Sequence, residues 1–390
     1  MKNRLQSLVQ HLILLTLTVA FTLLGCNTLA QMTNQVGTQS LSEKNYYQLN
    51  DALKFYQAAA QNPWQTLVLH RMLKLGSKNP NVILLRERLQ RSRDLSTIND
   101  NDAIFDPTLA QAVKSFQMRH GLKADGIVGE MTLTELNVPP EERVKQIQAS
   151  MDRWEKLNKR LGSRFIMVNI PDYQMYLIDD NKVVLAMKAI VGKPTRQTPE
   201  LYSRVTRLIL NPYWHVPIKI AKNDLLPKIQ EDPEYLEDMN IRVIEQIHNK
   251  PTEVDSNDID WDDMSEQDDM NLDFRQDPGD KNALGVVKFE FPNDYDVYMH
   301  DTPAKNLFDS YPRDFSSGCI RLEKPFDLVS YLMKDNADWD NQKIQDVIQS
   351  KKTTYVRIMK PIPIIITYIT AWVDDNGKVN FRDDVYHLDQ

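Results

Sequence analysis

The chain has 390 residues, of which 42% are hydrophobic and 26% charged, the balance of a globular protein with room for about two or three domains. Its formal net charge of -7 excludes the strongly basic surface with which proteins bind nucleic acids, so we expect no nucleic-acid partner. Beyond the first residues, no apolar run is long enough to span a membrane.

Residues 1–26 have the pattern of an export signal. Lys2 and Arg4 precede an almost unbroken apolar run from Leu12 to Leu24, which is short for a membrane-spanning helix. The residues that follow, Leu23-Leu24-Gly25-Cys26, resemble the bacterial lipobox. This resemblance implies that Cys26 is diacylated and becomes the new N-terminus.

Two other interpretations of the N-terminus remain open, which are cleavage after Ala30 and an uncleaved signal anchor. All three place the rest of the chain outside the cytoplasm. Asn27 differs from the aspartate that favours retention at the inner membrane of enterobacteria. The lipobox resemblance therefore favours a periplasmic protein with a lipid anchor in the outer membrane, with the inner membrane as the alternative.

Residues 31–78 are predicted to form a polar tether and an N-terminal helical segment. The helix is expected from Tyr46 to Ala60, because apolar residues recur there at a helical period. The residues predicted to face a core are Tyr47, Leu49, Leu53, Tyr56 and Ala59.

A small helical domain is predicted over residues 79–137. Its first helix has Asn81 as the expected cap, and its second is expected from Pro107 to His120, with Gly121 as the stop. The expected core residues of the two helices are Val82, Leu84, Leu85, Leu89, Leu109, Val113, Phe116 and Met118.

This region also resembles the small peptidoglycan-binding domain. The shared segments are Pro80-Asn81-Val82, Leu85 to Leu89, Phe105-Asp106, Ala112 to Gln117, His120-Gly121-Leu122, Asp125 to Gly129 and Thr132 to Asn137. The resemblance implies the three-helix fold. Active glycan binding and a role as a spacer or substrate-positioning wall both remain open.

A charged linker helix is predicted over residues 141–161, after which the apolar period changes from helical to two. Residues 164–359 are predicted to form a mostly β catalytic domain with a hairpin turn at Asp179-Asp180-Asn181-Lys182, and residues 360–390 a C-terminal hairpin. The fold class expected for the whole chain is therefore α+β, with several domains.

Residues 222–284 interrupt the strands, and they are strongly acidic between Asp255 and Asp280 with few apolar side chains. This composition predicts a mobile insertion rather than a packed core.

Cys319 is the only cysteine outside the signal, and an unpaired thiol in an exported protein suggests a chemical role. A cysteine nucleophile needs a histidine to take its proton, and His300 ends the preceding predicted strand. The Gly318-Cys319 turn is suited to supplying backbone donors for an oxyanion. A small buried hydrophobe is the plain alternative for Cys319.

His300 followed by Ser316-Ser317-Gly318-Cys319 resembles the catalytic signature of the L,D-transpeptidases, and the likeness extends from about Arg164 to Ile358. Ser317 and Arg321 replace the histidine and asparagine of many members, as they do in the large Gram-negative type. Other shared segments are Gly192 to Pro199, Asn211 to Pro217, Gly285, Phe291-Pro292-Asn293, His300 to Pro303 and Cys319-Ile320-Arg321.

The resemblance implies a role for each matching residue. Cys319 would attack the donor stem peptide, and His300 would act as base and then as acid. The carbonyl of Ser317 would hold the imidazole, and the amides of Gly318 and Cys319 would bind the oxyanion. Tyr298 is a candidate helper at the oxyanion, although a core tyrosine is equally compatible with the pattern.

Substrate contacts are expected from Arg321, Ser316 and Trp214. Arg321 would pair with a substrate carboxylate, or else hold Asp301 or Glu323. The acidic insertion corresponds in position to the capping subdomain of the large members.

The resemblance implies formation of 3-3 cross-links in peptidoglycan through a cysteine thioester with release of D-alanine, without a metal or an organic cofactor. The expected partners are stem peptides, which supply the donor and the acceptor amine, and cell-wall synthases are candidate protein partners. Two alternatives stay open. One is a carboxypeptidase or lipoprotein-attaching or -detaching enzyme of the same family, and the other is an inactive wall-binding lipoprotein.

Overall fold

The computed structural model describes residues 43–96, 103–158, 160–247, 250–261, 271–374 and 376–389. The predicted signal, with Cys26 and its lipobox, lies outside the described residues. Within the described part of the chain, no helix is both long enough and apolar enough to cross a membrane.

The described N-terminal part is helical. Its helices are α1 (Glu43–Ala60), α2 (Asn81–Arg91), α3 (Pro107–Arg119), α4 (Glu130–Asn137) and α5 (Pro140–Asn158). Helix α3 begins where Asp106 accepts a hydrogen bond from the amide of Leu109 at 2.7 Å. Helix α2 differs from prediction, because Asn81 is its first residue and the cap position is Pro80, which has no capping side chain. Asn79 accepts a hydrogen bond from the amide of Asn81 at 2.9 Å.

Two residues of this region that were predicted to face a core are exposed, so those two predictions are wrong. Met118 is 45% exposed and Tyr47 is 70% exposed. Each lies two positions from a buried residue of the same helix, Phe116 and Leu49 respectively. Two positions correspond to about 200° around a helix, which directs the side chain to the opposite face.

The small helical domain packs against the C-terminal part of the chain. The His120 ring stacks on Phe116 at 3.8 Å between centroids and lies 5.6 Å from the ring of Phe381. Arg119 donates to the carbonyl of Val379, and Arg382 donates to the carbonyl of Arg119, both at 3.1 Å. These contacts attach the domain to the body that carries the site.

The body is a closed barrel with the strand order β1-β12-β4-β9-β10-β11-β3-β2. Its strands are β1 (Phe165–Asn169), β2 (Gln174–Asp179), β3 (Lys182–Ile190), β4 (Leu201–Leu210), β9 (Val287–Glu290), β10 (Met299–His300), β11 (Ile320–Leu322) and β12 (Thr354–Thr367). Helices α9 (Pro325–Met333) and α10 (Asn341–Gln349) follow β11, and the barrel interior is filled by aliphatic and aromatic side chains.

Two predicted hairpins are confirmed. Strands β2 and β3 pair at Asp179 and Lys182, and the turn residues Asp180 and Asn181 both have positive φ, as a tight primed turn requires. Near the C-terminus, β13 (Ala371–Val373) pairs with β14 (Val379–Phe381). This hairpin is shorter than the predicted range 360–390, because the chain up to Thr367 continues the barrel strand β12.

The insertion between β4 and β9 contains a second sheet with the order β5-β8-β6-β7. Its strands are β5 (Trp214–Val216), β6 (Ile241–Ile247), β7 (Lys250–Val254) and β8 (Leu272–Gln276), and its helices are α6 (Ile218–Ile220), a π-helix (Ala221–Leu225), α7 (Leu226–Glu231) and α8 (Tyr235–Asp238). A 3₁₀ turn covers Ser256–Asp258. We refer to the described part of residues 214–276 as the cap.

The expectation that the insertion lacks a packed core is wrong for the described residues. The cap encloses its own cluster of buried apolar side chains, which are Val216, Ala221, Leu225, Ile229, Leu236, Ile241, Val243, Leu272 and Phe274. On β8 the apolar Leu272 and Phe274 point inwards, whereas Asp273 between them is exposed. Alternation along the strand thus separates the acidic residues from the core, which composition alone does not reveal.

Candidate active site

The pairing of β10 with β11 decides which side chains meet. The two strands are parallel, with Met299 opposite Ile320 and His300 opposite Arg321. Met299 and Ile320 are fully buried in the barrel interior. Because side chains alternate along a strand, Tyr298, His300, Cys319 and Arg321 share the opposite face. The predicted nucleophile and base therefore lie on adjacent strands and on one side of the sheet.

The His300 ring is held by a backbone carbonyl. Its Nδ1 lies 2.5 Å from the carbonyl oxygen of Asp301, and since a carbonyl only accepts, Nδ1 carries the proton of the neutral ring. The carbonyl expected in this role was that of Ser317, and that prediction is wrong. The residue after His300 can turn its carbonyl back to the ring, whereas Ser317 belongs to the turn before the next strand.

Asp301 was not expected in this role from the sequence, although it lies in the His300-Asp301-Thr302-Pro303 segment. Its carboxylate accepts from the amide of Val286 at 3.0 Å and from Lys305 at 2.6 Å. Gly285 makes room for it, because a Cβ there would lie 2.3 Å from the Asp301 carboxylate and the φ of Gly285 is +61°. The hydrogen bonds from Val286 and Lys305 and the close approach of Gly285 thus fix the position of the Asp301 side chain.

The electrostatic environment keeps His300 neutral. Burial lowers the pKa of His300 to about 3, and the positive charge of Arg321 acts in the same direction. The hydrogen bond to the carbonyl of Asp301 and the proximity of the Leu284 carbonyl oppose this lowering without reversing it.

The Cys319 thiol is half-buried, and burial raises its pKa. Hydrogen bonds from the amide and hydroxyl of Tyr298, together with the charges of Lys288 and Arg321, lower the pKa but do not overcome burial. The thiol therefore contacts Tyr298, and among the described residues no hydrogen bond joins it to His300. At rest, the site contains a neutral thiol and a neutral imidazole.

The turn before Cys319 is closed by Ser316. Its hydroxyl donates to the carbonyl of Cys319 at 2.5 Å and accepts from the amide of Gly318 at 3.2 Å. Ser316 is only 2% exposed, so the predicted substrate contact is wrong and its side chain serves the turn. Of the two predicted oxyanion donors, the Gly318 amide is thus engaged, whereas the Cys319 amide has no hydrogen-bond partner among the described residues.

The segment between β3 and β4 is hydrogen-bonded to this turn. Thr198 accepts from the amide of Gly192 and donates to the carbonyl of Gly318, each at 2.8 Å. The amide of Lys193 donates to the carbonyl of Ser316 at 3.0 Å. Thr198 is 2% exposed and was not a candidate site residue, because its contacts cross a long stretch of sequence.

Tyr298 connects the thiol with the cap. Its ring centroid lies 5.6 Å from that of His300, and Lys288 Nζ lies 4.1 Å from the Tyr298 centroid. Its hydroxyl donates a hydrogen bond to Cys319 and accepts one from the side chain of Trp214, which is the first residue of β5. Trp214, a predicted substrate contact, is therefore brought to the site through Tyr298.

Arg321 has no ion pair among the described residues. Its Nε is buried and makes no hydrogen bond, and burial lowers the pKa of the guanidinium. The two carboxylates considered as structural partners are paired elsewhere, since Asp301 binds Lys305 at 2.6 Å and Glu323 lies 3.7 Å from Lys188. An unpaired cation is thus left next to the thiol.

Two parts of the chain match known protein families. Residues 163–358 match the family described as "L,D-transpeptidase catalytic domain", and residues 78–136 match the one described as "Putative peptidoglycan binding domain".

One similar curated protein is a "Putative L,D-transpeptidase" from Haemophilus influenzae, 37% identical over 225 residues. The match covers 58% of this chain and 44% of that relative, so the chain spans less than half of the relative's length.

Similar solved structures include an L,D-transpeptidase from Mycobacterium smegmatis, with 15% identity, coverage of 53% of this chain and 58% of that chain, and a TM-score of 0.26. Another, from Stackebrandtia nassauensis, has 11% identity, coverage of 78% and 97%, and a TM-score of 0.27. Likenesses this low add nothing to the assignment. Because the catalytic-domain family matches half of the sequence, over residues 163–358, the chain belongs to the L,D-transpeptidase family.

Proposed function

We propose that this protein forms 3-3 cross-links in peptidoglycan through a thioester on Cys319, with release of the terminal D-alanine of a donor tetrapeptide stem. The observation that supports this most is the common face of Cys319 and His300, which the pairing of β10 with β11 produces. A thiol and an imidazole on neighbouring strands are the two groups that cysteine acyl transfer requires.

The acylation step begins from the neutral pair. As Cys319 Sγ bonds to the carbonyl carbon of the donor, His300 Nε2 takes the thiol proton, while the Asp301 carbonyl keeps the ring in the correct tautomer. Hydrogen bonds between catalytic groups are often long without substrate and tighten in the complex. The negative charge that develops on the carbonyl oxygen is then received by the free amide of Cys319.

The intermediate collapses when His300 returns its proton to the departing amine, which leaves as D-alanine and completes the thioester. The amine of a second stem attacks the thioester carbon, and His300 accepts a proton from it. The new amide bond forms, and the sulfur leaves and recovers a proton from His300. Tyr298, whose hydroxyl contacts the thiol, is a second donor for the oxyanion.

Arg321 is proposed to bind a carboxylate of the donor stem. Peptidoglycan stems carry free carboxylates, and a guanidinium without an internal partner can pair with one through two parallel hydrogen bonds. Binding there would also balance the unpaired charge beside the thiol.

The remaining parts of the chain position the enzyme. Residues 79–137 are proposed to contact the glycan or to hold the catalytic body at a set distance from it. Cys26 is proposed to carry a lipid anchor in the outer membrane, and cell-wall synthases are proposed as partners.

The first test is incubation of the full chain with tetrapeptide muropeptides, followed by mass spectrometry. We expect loss of D-alanine, a covalent adduct on the protein and 3-3 linked dimers. Cys319→Ala should form none of these and keep its far-ultraviolet circular dichroism spectrum. Tripeptide without dimers would instead support a carboxypeptidase, and no product from the parent chain would support an inactive wall-binding protein.

The second prediction concerns pH. Since burial raises the pKa of Cys319 and lowers that of His300, thiolate forms only as pH rises through the raised thiol value. Alkylation of Cys319 by iodoacetamide, in a full chain carrying Cys26→Ser, should keep rising beyond about pH 8.5, the value of an ordinary thiol. A rate that is already constant from about pH 5 to pH 8 would instead reveal a resting thiolate–imidazolium pair.

The third prediction concerns Arg321. Arg321→Gln should raise the KM for tetrapeptide stems by about 10- to 100-fold, the effect of losing a charge-assisted pair. Lys324→Gln, which removes a nearby exposed cation, is the control and should leave KM unchanged. If Arg321→Gln and Lys324→Gln have the same KM, Arg321 does not bind the donor.

A further inference from the structure

Arg196 joins the catalytic turn to the cap. Its Nη1 donates to the hydroxyl of Ser317 at 2.9 Å and also contacts Asp224 Oδ2, while its Nη2 donates to Asp224 Oδ1 at 3.1 Å. One guanidinium thus binds a serine two positions before Cys319 and, through both carboxylate oxygens, an aspartate of the cap. The cap end of this link is partly exposed, with 35% of the Asp224 side chain accessible.

The two ends of this contact belong to well-anchored elements. Asp224 lies on the π-helix, whose residues Ala221 and Leu225 are buried in the cap core. Single-turn π-helices are rare and occur frequently at functional sites. On the other side, the backbone around Arg196 is bonded to the catalytic turn through Thr198. Because both elements are rigid, this contact fixes the position of the cap relative to the catalytic turn. A contact between two loose loops would not do so.

The cap also reaches the thiol by a second route. Trp214 on β5 shares a hydrogen bond with the Tyr298 hydroxyl, which in turn contacts Cys319. When the cap lies on the turn, Trp214 engages the hydroxyl that contacts the thiol. The Arg196–Asp224 pair and the Trp214–Tyr298 contact therefore form and break together if the cap moves as a unit.

We propose that Arg196 is a positioning residue that holds the cap closed over Cys319 by pairing with Asp224 while it braces Ser317. The inference rests on the proposed function only for what closure of the cap does during turnover. Closure itself does not depend on which reaction is catalysed. Partly exposed ion pairs are weak, so this contact can open for substrates to enter and products to leave. Such a contact suits a lid that must open in every cycle better than a deeply buried pair would.

The test measures closure without any substrate. The full chain carrying Cys26→Ser leaves Cys319 as the only thiol, and iodoacetamide then reports how often the cap opens. Arg196→Gln and the isosteric Asp224→Asn should each speed alkylation by about 2- to 5-fold, the size expected for a partly exposed pair. Hydrogen–deuterium exchange should rise in residues 214–231.

Two further variants separate a specific contact from general damage. The double exchange Arg196→Asp with Asp224→Arg should return both readouts towards the parent values. Arg242→Gln removes an arginine from the cap's own sheet, where it pairs with Asp277, and should change neither readout. Raising salt from about 0.05 M to about 1 M should speed alkylation of the parent but not of Asp224→Asn, because screening can weaken only a pair that is present.

The proposal is overturned if Asp224→Asn matches the parent in alkylation and exchange, or if the double exchange behaves like the sum of its parts. Neither readout involves peptidoglycan. A parent chain that does not cross-link muropeptides would therefore contradict the proposed function and leave this inference intact.

Discussion

The parallel pairing of β10 with β11 is the constraint on which the site depends. Met299 and Ile320 are both fully buried in the barrel core, and this fixes the register of the two short strands. A slip of one residue would move His300 or Cys319 to the interior face and separate them. The core of the barrel therefore specifies the geometry of the site, even though the core residues themselves have no chemical part in it.

Burial determines the resting state of the site. It keeps the Cys319 thiol protonated and the His300 imidazole neutral, so that neither charge has to be maintained in a half-buried groove. In the proposed mechanism, the charged pair arises only when a donor carbonyl is present to receive the sulfur, and it is transient. An uncharged resting thiol also reacts more slowly with oxidants, which suits the proposed location outside the cytoplasm.

The sequence was sufficient to predict that Cys319 and His300 lie in one groove and where the two hairpin turns fall, because motif spacing and turn chemistry are local. It was insufficient for Asp301, Thr198 and Arg196, whose contacts depend on how distant segments meet. The same limit explains the error at Ser316, which the motif shows without revealing that its hydroxyl faces into the turn. The core of the cap was not predicted, because the prediction relied on the overall acidic composition of the insertion. The few apolar residues that form this core alternate with polar ones along the strands and contribute little to that composition.

The most direct test is a crystal structure of the enzyme acylated by a tetrapeptide donor. The account predicts a thioester on Cys319 Sγ, with the acyl oxygen on the Cys319 amide. His300 Nε2 should lie on the same side as the departing amine, within about 2.6–3.2 Å of the position of that nitrogen. Acylation of any other residue, or a His300 ring turned to the opposite face of the sheet from the thioester, would contradict it.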